Sequence, residues 1–167
     1  MTAIPITGDT TTTSGIVGRL ARSGRFEERS KLTEGTTTKI GYAMTFGTTT
    51  DQVKPLELGT DKFAGIAVYD LKASDLDNLK YGDKQQINVA HIGSYWVYSE
   101  EIVNEKDDVR VRIVDDGVDP LKLKYNFCKT ASAGKTVLLK GVKWDSNTGL
   151  VGASAINMSD NIEVVAD

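Results

Sequence analysis

Apolar and polar residues alternate along most of the chain with the period of a β-strand. Val109, Val111 and Ile113 alternate with Arg110 and Arg112, so one face is apolar and the other charged. Gln86 to Ile92 alternates through Ile87 and Val89, and Tyr95-Trp96-Val97-Tyr98 is rich in aromatic and β-branched residues. Gly93-Ser94 between them predicts a two-residue type II′ hairpin turn. Strands are also predicted over Lys39 to Phe46, Phe63 to Tyr69, Thr136 to Trp144 and Asn161 to Ala166. Asp115-Asp116-Gly117 and Ser146-Asn147-Thr148-Gly149 read as turns. One short helix is predicted, with Ser74 as its cap, Asp77 in the capping-box position, and Leu76 and Leu79 on one face. Together these elements predict an all-β fold: a compact β-barrel or β-sandwich body over residues 39–167, with one short helix.

The first 38 residues follow another pattern. Fifteen of the eighteen threonines lie in residues 1–60. Large apolar residues are sparse before position 39: Ile16, Val17, Leu20, Phe26 and Leu32 are the main ones. Such a stretch buries too little surface to offset its own ordering entropy. Residues 1–38 are therefore read as an extended N-terminal docking arm that becomes ordered on another surface.

Charge sharpens that reading. The 167-residue chain has a net charge of −3, yet residues 15–39 carry Arg19, Arg22, Arg25, Arg29, Lys31 and Lys39 against Glu27, Glu28 and Glu34. The arginines are spaced as on one side of a helix, although Gly18 and Gly24 weaken a helix there. Their guanidinium groups suit pairing with carboxylates. The candidate contact residues are Ile16, Val17, Arg19, Leu20, Arg22, Arg25 and Phe26.

Composition excludes several function classes. The acidic balance argues against nucleic acid as a partner. No apolar run approaches the roughly 18 residues of a membrane helix, and the first residues lack the pattern of a secretory signal. A single Cys128 and a single His91 support neither an internal disulfide nor a closed zinc site.

Catalytic motifs are equally sparse. Ser132-Ala133-Gly134-Lys135-Thr136 ends like a phosphate-binding loop, but position 129 is Lys where the motif needs Gly, and a strand pattern follows. The pairs Glu100-Glu101, Asp107-Asp108 and Asp115-Asp116 are adjacent, so on a strand they point to opposite faces. His91 is expected in a hydrogen-bonded structural role and Cys128 in packing. No catalytic, cofactor or metal site is expected.

The order of glycine-bounded strands carries a resemblance. Ser14-Gly15-Ile16-Val17-Gly18-Arg19-Leu20-Ala21-Arg22-Ser23-Gly24 is followed by Gly41-Tyr42-Ala43-Met44-Thr45-Phe46-Gly47 and by Phe63-Ala64-Gly65-Ile66-Ala67-Val68. Then come Tyr81-Gly82-Asp83, Gly93-Ser94-Tyr95-Trp96-Val97, Asp107-Asp108-Val109-Arg110-Val111, Gly149-Leu150-Val151-Gly152 and the terminal Ile162-Glu163-Val164-Val165. In this order the series resembles the capsid cement, or head decoration, proteins of tailed bacteriophages. The resemblance implies a non-enzymatic structural protein, made in the host cytoplasm, on the outer surface of the capsid. Its partners would be the major capsid protein and other copies of itself, as trimers ahead of dimers. A different reading of the residues is a β-rich receptor- or carbohydrate-binding module with Tyr95, Trp96 and Tyr98 as ligand platforms.

Overall fold

The computed structural model describes residues 15–35, 37–69, 80–147 and 151–167. Its strands are β1 (Glu27–Thr33), β2 (Thr38–Lys39), β3 (Ala43–Phe46), β4 (Gln52–Pro55), β5 (Phe63–Ala67), β6 (Lys80–Tyr81), β7 (Gln86–Ser99), β8 (Asp108–Arg112), β9 (Phe127–Cys128), β10 (Thr136–Trp144) and β11 (Gly152–Ala166). There is no helix among the described residues, and the helix expected from Ser74 lies outside them.

The main sheet runs β1-β4-β3-β5-β7-β11-β10-β8-β9, and both ends return to β7. Strand β7 therefore belongs to two closed circuits, one through β1, β4, β3 and β5, the other through β11, β10, β8 and β9. Closure removes the unpaired edges that would otherwise invite association. The first half of β7 pairs with β1 and β5, and its second half pairs with β11 from Gly93↔Met158 to Ser99↔Gly152. The second circuit closes at Ser99↔Phe127.

This topology corrects the predicted hairpin. Gly93-Ser94 lies inside β7, which continues through it. A hairpin would have paired the two halves with each other, whereas each half finds its own partners in β1 and β11. Gly93 is needed for another reason. Its φ of 121° disfavours side chains, and a Cβ there would lie 3.0 Å from both Phe26 and Tyr95.

Two cores follow from the two circuits. The larger gathers Tyr95, Val97, Val111, Phe127, Leu139 and Ile156, and extends onto β3 and β5 through Ala43 and Ile66. The smaller contains Ile40, Met44, Val53, Ala67, Ile87 and Val89. The alternation Ile87, Val89 and Val109, Val111 places these side chains inside, as their spacing predicts. Strand β10 has the predicted limits.

The extended arm is not found from Gly15 onward. Glu27–Thr33 is strand β1, antiparallel to β7 from Glu27↔Ile92 to Leu32↔Gln86 and parallel to β4 at Leu32↔Gln52. Its mostly exposed face explains its weak sequence signal: a strand can be secured by backbone pairing without burying many of its own side chains. The arginine spacing likewise forms no helix, since Arg29 lies in β1 and Arg19 to Arg25 run through turns and bends.

Candidate docking surface

Residues 18–21 are laid along the second half of β7 by backbone hydrogen bonds. Gly18 N–H donates to the Trp96 carbonyl at 2.7 Å, Trp96 N–H to the Arg19 carbonyl at 2.9 Å, and Ala21 N–H to the Ser94 carbonyl at 2.7 Å. Leu20 and Tyr95 form an antiparallel bridge. Tyr69 N–H donates to the Gly18 carbonyl at 2.9 Å, tying the same segment to the end of β5. Gly15 lies so close to the Trp96 indole that no side chain fits there.

This backbone fixes where the seven candidate residues go. Ile16, Leu20 and Phe26 are exposed, at 47%, 37% and 52%. Val17 is half-buried and packs toward Gly41. Arg19 stacks over the Tyr69 ring, 4.6 Å from its centre. Arg22 pairs with Asp145 at 3.2 Å and donates to the Asp145 carbonyl at 2.9 Å. Arg25 pairs with Glu27 at 2.8 Å and Asp160 at 3.6 Å. The hydrogen bond to Glu27 is the main reason that the Arg25 pKa is raised. The predicted affinity of this series for carboxylates is real, but two of its members meet carboxylates of their own chain.

Arg29 is the exception. It is exposed and has no side-chain partner among the described residues. It lines a cavity of about 240 Å³ beside Lys31 of its own strand and His91 of β7, against Phe46, Phe63 and Ile162. Two irregularities build this cavity. Glu28 pairs with Ala90 and Glu27 with Ile92, so His91 is the extra residue of a β-bulge. On β11, Ser159 to Ile162 bulge opposite Gly141, between the pairs Met158↔Val142 and Glu163↔Lys140. Sequence reading did not find this site, because bulges leave little trace in hydrophobic periodicity.

His91 has the hydrogen-bonded setting expected of it: Nε2 lies 3.1 Å from Glu27, while the buried Nδ1 has no partner among the described residues. Cys128 is buried, and burial first, then Glu100 and Glu101, push its thiol up to about 12. The phosphate-loop likeness dissolves: Lys135 pairs with Asp116 at 3.2 Å and Thr136 begins β10. No group of three or more His, Cys, Asp or Glu among the described residues is placed to hold a metal.

The aromatic run does not form a platform. Tyr95 is fully buried, its hydroxyl donating to Glu28 at 2.8 Å, and Trp96 is half-buried beneath Gly15. Tyr98 is exposed and belongs to a second apolar patch with Leu121 and Leu123. Nearby charges are paired locally, Lys122 with Asp119 and Lys124 with Glu57.

Comparison with known proteins adds a family. The model of the family described as "Structural cement protein (E217 gp24/Pam3 gp6)" matches residues 4–160. No curated protein matches the chain. Among solved structures, a chain from "The capsid of Myoviridae Phage XM1" superposes with a TM-score of 0.68 at 12% identity, covering 87% of this chain and 90% of that one. At that identity the likeness establishes a shared fold.

Proposed function

The chain belongs to the structural cement protein family of phages, and from that premise we propose that it docks on the outer face of the shell, across joints between major capsid subunits. Its role is structural: it stabilises a phage capsid and works in the virion. The finer reading is that residues 16–26 make the contact with the capsid or a neighbouring copy. Ile16, Leu20 and Phe26 supply apolar anchors, and Arg19, Arg22 and Arg25 form a polar rim around them. Val17 supports the anchors from beneath. Copies made in the host cytoplasm gather on the shell, as trimers ahead of dimers.

One observation carries this reading. Three large apolar side chains stand exposed within residues 16–26, and β7 already holds the backbone of residues 18–21 between them. A surface ordered in advance loses little conformational freedom on binding. Exposed apolar side chains on such a pre-ordered segment are available to an interface. Binding that is confined to the assembled lattice then shifts assembly toward that lattice, and linked copies raise avidity by about 10² to 10⁴.

Deleting residues 1–38 would remove β1 and open a circuit, so point substitutions are the cleaner test. Leu20→Asp with Phe26→Asp should abolish co-sedimentation with undecorated heads while leaving the folding transition close to that of the wild type. Undiminished co-sedimentation would remove this segment from the contact.

A further inference from the structure

The four arginines at 19, 22, 25 and 29 end in different situations. The first stacks on Tyr69, the second and third have carboxylates within their own chain, and Arg29 has no partner among the described residues. An arginine without a carboxylate, beside a concave surface, is a recognition element waiting for its complement.

The surroundings state what that complement is. Lys31 lies in the same strand two residues on, and donates to the Thr50 carbonyl at 2.6 Å. The carboxylate of Asp51 stands 3.9 Å from the same ammonium and is itself almost wholly in water, so it offsets the positive charge only weakly. His91 enters from the bulge of β7, its Nε2 3.1 Å from Glu27 and its buried Nδ1 without a partner among the described residues. Asp160 is the one carboxylate among the lining residues, and it faces Arg25 at 3.6 Å. The remaining wall includes Phe46, Phe63 and Ile162. A cavity of about 240 Å³ with a basic rim and an apolar floor suits a side chain that ends in a carboxylate, followed by an apolar neighbour.

The position of the cavity narrows the source. Asp160 lines both this cavity and the depression beside Arg22 and Arg25, so the cavity continues the surface proposed to meet the shell. We propose that Arg29, Lys31 and His91 form a socket for an aspartate or glutamate side chain of the major capsid protein. Arg29 makes the ion pair, Lys31 supplies the second positive charge, and the aromatic floor takes the adjoining apolar residue. The socket rests on the reading that this chain docks on assembled heads, and it deepens that reading by naming the chemistry of the partner.

The test uses undecorated heads and the full chain in three forms. Wild-type protein binds. Arg29→Ala should bind about ten- to a hundred-fold more weakly, as expected when one partner of a desolvated charge pair is truncated. Its affinity should also vary less with salt, and its folding transition should stay where it was, because Arg29 has no partner to lose. Arg29→Lys keeps the charge and places a primary amine in the socket. It should retain binding and, with a carbodiimide, should cross-link to a carboxylate of the capsid protein. Wild-type protein that fails to bind heads overturns the docking reading itself. Wild-type binding matched by Arg29→Ala overturns the socket alone. A cross-link only within its own chain, or only to a second copy, also overturns the socket as assigned.

Discussion

The two circuits that share β7 treat charge in opposite ways. In the circuit through β8 to β11, Glu100 and Arg112 lie inside the fold, 4% and 3% exposed, and meet in a bidentate pair at 3.0 Å. The hydrogen bond to Glu100 keeps the Arg112 pKa raised. In the circuit through β1 to β5, Arg29 stands at a cavity beside Lys31 with no partner among the described residues. A buried charge must be matched within the chain, or its desolvation is uncompensated. A charge at the rim can wait for a partner from outside. One circuit thus pairs its buried charge within the chain, and the other carries the surface proposed above for recognition.

The comparison breaks most readily at Arg112. Arg112→Met should destabilise by about 3–5 kcal/mol in denaturant titration, since it strands Glu100 without a partner. Glu100→Leu combined with Arg112→Met should recover much of that loss. If the single substitution costs no more than Arg29→Ala, the contrast between the two circuits fails.

The junction is the next point to probe. Gly93→Val forces a β-branched side chain into a backbone with φ of 121°, against Phe26 and Tyr95. A cost of about 1–3 kcal/mol is expected, read as a lower denaturant midpoint. Because the added side chain presses on Phe26, one of the proposed anchors, head binding should fall as well. Full stability in this variant would mean that the strand can pass between circuits without its glycine.

The smallest expected effect concerns pH. Hydrogen bonds from Lys124 and then from Tyr125 hold the Glu57 carboxyl below its ordinary value of 4.5, despite some burial. A lowered pKa in the folded state contributes stability that is present above the ordinary value and is lost as pH falls through the lowered one. The thermal midpoint of Glu57→Gln should therefore fall less than that of the wild type between neutral pH and about pH 3. Equal falls would show that the Lys124–Glu57–Tyr125 contacts add nothing.

Much of the strand content could be read directly. Thr136 to Trp144 and the alternation at Val109 and Val111 announce themselves, because a half-buried strand must place every second side chain in the core. Strand β1 could not be read in this way. Its sequence, Glu27-Glu28-Arg29-Ser30-Lys31-Leu32-Thr33, has little apolar alternation, and its place is set by backbone pairing to residues more than fifty positions away. In the segment proposed for docking, the structure leaves Ile16, Leu20 and Phe26 exposed, whereas Arg22 and Arg25 found partners within the chain that no spacing could reveal.

The sequence by itself determined an all-β chain, an acidic body with a basic N-terminal region, and a series of strands belonging to a head-stabilising family. Those properties are local or additive: periodicity, composition and motif order. Only the tertiary structure decided which charges meet. Arg22 reaches Asp145 across 123 positions of chain, while Arg29 comes to rest at the edge of a cavity. Both are arginines of the same short segment, and nothing local distinguishes them. The difference arises from which distant carboxylates the closing of two circuits brings within a few ångströms, where Coulomb attraction is strong enough to hold them.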